Sequence, residues 1–162
     1  MESGKINCLS CSDSYVDLID LDRHVQQQHA GNRVLTCGYG EQLGHPKRIT
    51  TKLPRAIDTL PADTKILQVV AGGVHTTILT DQHEVYSCGS TLGGTVPIEG
   101  LAEETIDELT VIKFKEEAEI IQLASGWRFT AALTDLGSVI AWGTLKVGSF
   151  VYIILCSFWR LG

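Results

Sequence analysis

The hydrophobic pattern is most regular between residues 66 and 143, where short apolar runs alternate with turn residues. Ile66–Ala71 is an apolar run that ends at two glycines, and Thr76–Thr80 is rich in β-branched residues. Asp81–Glu84 has the composition of a turn and leads into a third run, Val85–Cys88. β-Branched residues favour strands, and short polar residues and glycine favour hairpin turns. The pattern therefore predicts a succession of strands and tight turns, which is all-β structure.

The same pattern occurs twice, at 66–89 and at 120–143, without a gap and with equivalent positions 54 residues apart. Identical pairs include Gln68/Gln122, Gly72/Gly126, Thr76/Thr130, Leu79/Leu133, Thr80/Thr134, Asp81/Asp135, Val85/Val139 and Gly89/Gly143. The segment RVLTCG (33–38) resembles the end of a third copy. A period in this range is typical of propeller blades and predicts a partial β-propeller. An all-β sandwich is the alternative, but a sandwich has no reason to repeat in register.

The motifs within the repeats resemble those of the regulator of chromosome condensation family. GYGEQLG (38–44) is similar to the family's G-x-G-x-x-G-Q-L-G segment, and AGGVHTTILTD (71–81) is similar to its A-G-x-x-H-T-x-x-L-T core. The resemblance covers residues 33–146 and implies a seven-bladed ring, of which this chain would hold about two blades. It also implies a guanine-nucleotide exchange factor for the small GTPase Ran, bound to chromatin in the nucleus. Such factors press loops against the switch regions of their GTPase and carry no covalent chemistry.

Glu41 is the residue that the resemblance suggests as a GTPase contact, because it lies near where an acidic residue would face the GTPase. An ordinary surface glutamate in a turn is the alternative. His75 has Phe129 at the equivalent position, so core packing explains it better than catalysis. Trp127 and Arg128 occupy a turn and could face a partner. The sequence contains no nucleophile–base set and no phosphate-cradling glycine loop, which indicates a regulatory protein and not an enzyme.

A cysteine–histidine cluster at 5–30 has the spacing of a two-Cys, two-His zinc finger. The four expected zinc ligands are Cys8, Cys11, His24 and His29. Two residues separate the cysteines, twelve separate Cys11 from His24, and four separate the histidines, which suits a tetrahedral zinc site in a small ββα fold. Tyr15 and Leu21 occupy the expected core positions. A free thiol pair and two surface histidines in a flexible arm are the alternative.

Direct DNA binding by this finger is doubtful. The positions that would read bases are Asp17, Ile19, Asp20 and Arg23, of which two are acidic. Acidic and aliphatic side chains are poor partners for a phosphate-lined groove. The finger is therefore expected to contact protein or to have a structural role.

Residues 147–162 are almost uniformly apolar and depart abruptly from the family pattern after Trp142 and Gly143. Three interpretations compete: a tail anchor, a buried final strand, or a sequence joined by alternative splicing or intron read-through. The segment is shorter than the roughly 20 apolar residues of a spanning helix, so no membrane association is expected. The third interpretation predicts a truncated propeller that is weak or inactive alone.

Composition limits the remaining function classes. The chain has 162 residues, a net charge of -6 and a pI near 5.3, so it lacks the broad basic field that non-specific phosphate binding needs. Lys47, Arg48, Lys52 and Arg55 form a small basic segment that could touch phosphate, although a solvated loop explains them better. Five cysteines and the absence of an apolar core in residues 1–16 favour a reducing, intracellular compartment.

Overall fold

The protein is described by a computed structural model. The structure describes residues 33–114 and 118–145 with their side chains, and the backbone alone of residues 6–7, 14–15, 146–147 and 150–160. The described strands are β1 (Ile6–Asn7), β2 (Ser14–Tyr15), β3 (Leu35–Tyr39), β4 (Thr50–Ala56), β5 (Ile66–Ala71), β6 (His75–Thr80), β7 (Val85–Ser90), β8 (Thr105–Ile112), β9 (Ile120–Ser125), β10 (Phe129–Thr134), β11 (Ser138–Val147) and β12 (Phe150–Arg160). The described elements are strands apart from two short 3-10 turns, Glu41–Leu43 and Leu92–Gly94, which confirms the all-β prediction.

The strands form antiparallel sheets in which sequence neighbours are also neighbours in space. β5–β8 form one four-stranded sheet, and β9–β12 form another. We call these sheets blade 1 and blade 2. β3 pairs with β4, and β1 pairs with β2, as two separate two-stranded sheets. Four-stranded antiparallel sheets in simple sequence order are the blades of propeller architectures.

The two blades repeat at the level of individual backbone hydrogen bonds. In blade 1 the amides of Gly72, Asp81 and Ser90 donate to the carbonyl oxygens of His75, Lys65 and Val74, respectively. In blade 2 the amides of Gly126, Asp135 and Thr144 donate in the same way to the carbonyl oxygens of Phe129, Glu119 and Arg128. Each bond in blade 2 lies 54 residues after its counterpart in blade 1. The sequence repeat therefore reflects a repeated fold, as predicted.

Three glycines mark the same position in successive sheets. Gly38, Gly89 and Gly143 have φ angles of 129°, 116° and 105°, which side chains rarely adopt. At each glycine the ladder to the next strand shifts register. A β-bulge of this kind needs a residue without a Cβ. β3 is thus equivalent to β7 and β11, which confirms that residues 33–38 are the end of a third copy.

The segment with Lys47, Arg48, Lys52 and Arg55 is expected to be a solvated loop, and the structure differs from this expectation. Thr50–Ala56 forms strand β4 and pairs with β3, although it contains Pro54. β4 pairs with no strand other than β3 among the described residues, so Pro54 lies on an edge strand. Proline is tolerated on an edge because it interrupts no ladder on the open side.

The main hydrophobic core lies between the two blades. Leu67, Leu79 and Val85 of blade 1 pack with Ile120, Leu123, Ala132, Ile140 and Trp142 of blade 2. The ring of Phe114 lies 5.2 Å from that of Trp142, centroid to centroid. A second cluster joins Val34 and Ile57 to Ile66, Ile78 and Tyr86 of blade 1. The buried apolar area of these contacts fixes the angle between neighbouring sheets.

The apolar tail forms a strand. β12 pairs with β11, and the register shift between Ala141 and Gly143 matches the shift between Ser87 and Gly89. The backbone of β12 therefore occupies the position that β8 has in blade 1. Its side chains lie outside the described residues, so burial of the tail stays a prediction. No helix in the described part of the chain is long and apolar enough to cross a membrane.

Candidate functional site: a loop face at one end of the blades

Four segments meet at the same end of the sheets. They are Gly40–Gly44, 72–74, 91–97 and 126–128, and we call them together the loop face. The amide of Gly73 donates a hydrogen bond to the carbonyl oxygen of Trp127 at 2.9 Å, which joins the equivalent turns of the two blades. Loops on a rigid sheet scaffold are where binding residues concentrate in repeat proteins. The loop face is therefore the candidate interaction site of this chain.

The turn that carries Glu41 is held firmly against blade 1. The carbonyl oxygen of Gln42 accepts hydrogen bonds from the Thr76 hydroxyl at 2.7 Å and from the Cys88 thiol at 3.3 Å. Gln42 also donates from its side-chain amide to the Tyr39 carbonyl oxygen. Glu41 is half-buried, and its carboxylate has no hydrogen bond or ion pair with the described residues. The structure thus places the predicted contact residue on the loop face, with its carboxylate uncommitted.

Arg128 connects the loop face to both blades. Its carbonyl oxygen accepts hydrogen bonds from the Thr144 amide at 2.7 Å and from the Thr95 hydroxyl at 3.2 Å. Its guanidinium Nη2 donates to the Leu92 carbonyl oxygen at 3.2 Å. Its buried Nε has no hydrogen-bond partner among the described residues. Arg128 therefore stabilises the 91–97 segment, and part of its guanidinium is left unpaired.

Trp127 is the most exposed large side chain of the loop face, at 73%. Its indole lies against Gly73, where an added Cβ would collide with the ring. Tryptophan in a rigid turn loses little entropy on binding and is enriched where proteins contact one another. The sequence prediction that Trp127 lies in a turn is confirmed, and its exposure makes it available to a partner.

His75 lies beneath the loop face and is fully buried. Its Nε2 lies 2.8 Å from the Thr130 hydroxyl and 2.9 Å from the Ser125 hydroxyl, both in blade 2. Burial lowers the pKa of His75 to about 4, so the ring is neutral at physiological pH. An added Cβ at Gly72 would collide with the imidazole. This environment supports the interpretation of His75 as a packing residue, here one that links the blades.

The loop that continues from the loop face toward β8 is acidic. Glu99, Glu103 and Glu104 are exposed in the loop between β7 and β8. Thr91 holds the end of that loop by donating its hydroxyl to the Glu103 carbonyl oxygen at 2.6 Å. Together with Glu41, these carboxylates favour a partner with positive charge at the contact.

The basic segment predicted from the sequence is not a single loop. Lys47 and Arg48 lie in a turn, whereas Lys52 and Arg55 belong to β4. The Lys47 amide donates to the Asp107 carboxylate at 2.7 Å, which places an acidic group beside the turn. The prediction that all four residues lie in one loop is therefore wrong, because two of them belong to a strand.

The predicted zinc ligands lie outside the described residues. Cys8, Cys11, His24 and His29 are thus neither brought together nor separated by the structure. Across residues 33–114 and 118–145, no group of three or more His, Cys, Asp or Glu residues is arranged to hold a metal ion. The described Cys37 and Cys88 are free thiols.

Gln68 is the interblade residue to which the sequence analysis gave no role. Its side-chain amide donates to the Leu123 carbonyl oxygen at 2.8 Å, and its side-chain oxygen accepts from the Leu123 amide at 2.6 Å. The identity of Gln68 and Gln122 was visible in the repeat. That Gln68 connects two blades becomes evident only from its contact with Leu123 in the structure.

The fold and its repeats define a propeller-type repeat protein whose turns gather on one face. Comparison with known proteins specifies the repeat: residues 31–79 and 120–144 match models described as Regulator of chromosome condensation (RCC1) repeat. These two segments are therefore similar to RCC1 repeats.

Three similar proteins illustrate the range of this likeness. Human regulator of chromosome condensation is 31% identical over 141 residues, which cover 80% of this chain and 32% of the relative. The mouse secretion-regulating guanine nucleotide exchange factor is 32% identical over 111 residues, covering 68% of this chain and 23% of the relative. The crystal structure of Prp20p from Saccharomyces cerevisiae, described with its binding to Gsp1p and histones, aligns with a TM-score of 0.64 and 26% identity. That alignment covers 80% of this chain and 33% of Prp20p, so the chain spans between about a quarter and a third of these three proteins.

Proposed function

We propose that this chain is part of a guanine-nucleotide exchange factor that recognises a small GTPase of the Ran type through the loop face. The observation that carries the proposal is the pair of RCC1 repeats, matched at 31–79 and 120–144, in a chain with a relative named as an exchange factor. The loop face joins turns of both blades and exposes Trp127, and the buried His75 beneath it bonds Thr130 of blade 2. Recognition, not covalent catalysis, suits this surface.

Glu41 is the proposed contact residue for the GTPase. A nucleotide-binding site holds its ligand through cations: a magnesium ion and basic side chains on the phosphates. A carboxylate presented to that site competes with the phosphates for those cations and weakens nucleotide binding. The hydrogen bonds of Gln42 to Thr76 and Cys88 hold Glu41 in place without using its carboxylate. This arrangement supports a role in contact with a partner.

Exchange by this chain alone is expected to be weak. The chain covers 32% of the human relative, and the proposed machinery includes further blades that contact the other parts of the GTPase. Association with chromatin in the nucleus belongs to the same proposal, and the acidic surface suits basic partners such as histones. Cell fractionation with a tagged chain is the direct check of that location.

The test separates binding from exchange. Nucleotide-free Ran is immobilised and binding of the chain is measured by biolayer interferometry, alongside release of fluorescent GDP from loaded Ran. We expect measurable binding that Glu41→Gln weakens and Glu108→Gln leaves unchanged, with little acceleration of GDP release. Glu108 is an exposed glutamate on β8 and serves as the matched control. No binding at roughly 100 μM chain contradicts the proposal, and rapid GDP release contradicts the need for further blades.

A second function, a zinc-dependent interaction module, is favoured by one separate observation. β1 and β2 pair antiparallel, with Ile6 opposite Tyr15, on either side of Cys8 and Cys11 in the sequence. A hairpin that carries two cysteines is the first half of the proposed ββα finger. Zinc bound by Cys8, Cys11, His24 and His29 would supply folding energy to a segment too small for its own core.

Metal analysis tests this second function. We expect about one zinc per chain by mass spectrometry, lost in Cys8→Ala and retained in Cys37→Ala. Cys37 is an exposed free thiol and is the matched control. Purified chain without zinc, or loss of zinc in both variants, contradicts the proposed ligand set.

A further inference from the structure

Trp127 lies at the boundary between the two blades. Its equivalent in blade 1 is Gly73, which comes 54 residues earlier in the sequence. The amide of Gly73 donates to the Trp127 carbonyl oxygen at 2.9 Å, and the indole lies over Gly73, where an added Cβ would collide with the ring. The indole of blade 2 therefore occupies the space that a side chain at position 73 of blade 1 would need.

The contact with Gly73 leaves most of the Trp127 indole in water. The side chain is 73% exposed, whereas Trp142 of the same blade is fully buried in the core between the blades. Leaving a large apolar ring in water forgoes the free energy that its burial would supply. The Trp127 indole thus contributes little to the core and presents an apolar surface that a partner can cover.

Leu92 provides a second apolar side chain on the loop face, at 46% exposure. Its carbonyl oxygen accepts hydrogen bonds from Arg128 Nη2 at 3.2 Å and from the Thr95 hydroxyl at 2.8 Å. Arg128 follows Trp127 directly in the chain, so these bonds fix the backbone of Leu92 relative to that of Trp127. Groups that are held in place before binding lose little conformational freedom when a partner arrives.

Glu41 and Trp127 flank the same turn of blade 1. On one side the Thr76 hydroxyl donates to the carbonyl oxygen of Gln42, the neighbour of Glu41, and on the other the Gly73 amide donates to Trp127. Three residues separate these two attachment points, so at most about 11 Å of backbone lies between them. A protein interface of ordinary size is wider than this distance. One partner placed over the turn can therefore contact both Glu41 and Trp127.

We infer that Trp127, with Leu92 beside it, is the apolar anchor through which the loop face binds its GTPase. The indole enters an apolar depression on the GTPase, while Glu41 faces the cations of the nucleotide site. The position of Trp127 beside Glu41 assigns this occupant, and the inference rests on the proposed function. An exposed tryptophan in a rigid setting with polar surroundings is typical of the few residues that supply most of the affinity of an interface.

Binding of the full chain to immobilised nucleotide-free Ran tests the anchor. We expect Trp127→Ala to weaken binding at least about tenfold, and Leu136→Ala to change it by less than about twofold. Leu136 is the matched control, because it is 66% exposed in the turn at the opposite end of β10. Gly73→Ala keeps the indole but displaces it, so we expect this variant to bind more weakly than the unsubstituted chain.

Fluorine NMR of the chain labelled with 5-fluorotryptophan provides a readout that does not depend on stability. Trp127→Phe identifies the Trp127 resonance by removing it. We expect that resonance to shift when Ran is added, whereas the resonance of the buried Trp142 stays in place. Gly73→Ala is expected to move the Trp127 resonance in the free chain.

The outcomes separate the anchor from the proposed function. Absence of Ran binding by the unsubstituted chain overturns the proposed function and with it the inference. Ran binding that Trp127→Ala leaves unchanged, or that Leu136→Ala weakens equally, overturns the inference alone. A Trp127 resonance that does not move on Ran binding has the same meaning. Circular dichroism of each variant checks that the chain is folded in the assay.

Discussion

Gln68 and Leu123 form a two-point hydrogen bond between neighbouring blades, at 2.8 Å and 2.6 Å. The interaction joins a side chain of one blade to the backbone of the next, so it acts on the angle between sheets. Leu123 is buried, which makes its amide and carbonyl costly to leave without partners. The two residues are 55 positions apart in sequence, so the interaction is a tertiary feature of the repeat.

Replacing Gln68 is expected to weaken the contact between blades. Gln68→Ala would leave both backbone groups of Leu123 unpaired and lower the free energy of unfolding by about 1–3 kcal/mol. Urea denaturation followed by circular dichroism measures the change. Gln122→Ala is the control at the equivalent repeat position, where no hydrogen bond of the side chain exists among the described residues. Equal destabilisation by the two substitutions would contradict a specific interblade role for Gln68.

The buried His75 predicts a loss of stability in mild acid. In the unfolded chain its pKa is 6.5, and burial lowers the pKa to about 4 in the folded chain. Between these values the unfolded state binds a proton that the folded state does not, so stability falls as pH falls. The resulting loss in the free energy of unfolding reaches roughly 3 kcal/mol by pH 4.

His75→Phe tests that linkage, because phenylalanine stands at the equivalent position 129. The free energies of unfolding of both proteins are compared at pH 7 and pH 5. We expect the variant to lose less stability than the wild type between the two values. Parallel pH profiles for the two proteins would show that His75 does not contribute.

At the bulge glycines we expect substitution by alanine to destabilise the fold, because the added methyl group has no room there. Gly89→Ala would impose a φ of 116° on alanine and drive its Cβ into the carbonyl oxygen of Val74. We expect it to destabilise the fold by more than about 2 kcal/mol. Gly100→Ala is the matched control, since Gly100 also has a positive φ of 78° but nothing within 4 Å of an added Cβ.

Gly100→Ala should cost only the backbone strain, about 1 kcal/mol. The two variants are compared by thermal unfolding. If they lose the same stability, the collision at Gly89 has been relieved by movement of β6. The bulge at Gly89 would then be less rigid than we infer from the similar φ angles of Gly38 and Gly143.

The two described thiols are expected to differ in reactivity. Burial raises the pKa of Cys88 to about 12, and its thiol donates to the Gln42 carbonyl oxygen. At pH 8 about one molecule in ten thousand then carries the Cys88 thiolate, which is the reactive species. Cys37 is exposed. Iodoacetamide labelling with peptide mass mapping should modify Cys37 in the native chain and Cys88 only in denaturant. Rapid labelling of Cys88 in the native state would show that the 41–43 turn opens.

The sequence determined the parts of the structure that depend on local pattern. Strand composition and turn residues located β5, β6 and β7, and the repeat located their counterparts in blade 2. The third copy was recognisable because RVLTCG (33–38) resembles the end of the repeat. Residues Thr50–Ala56 were missed as a strand, since Pro54 suggests a loop unless the strand is known to lie on an edge.

Only the tertiary structure decided which residues connect the repeats and which edges stay open. Gln68 and Gln122 are identical in sequence, yet the first binds Leu123 and the second has no described partner, because among the described residues a blade packs only beside the first. Val69 is 42% exposed and Leu123 is buried, because among the described residues a neighbouring blade covers only Leu123. A repeated sequence encodes the same surface in every copy, and the neighbour in space decides whether that surface becomes core or interaction site.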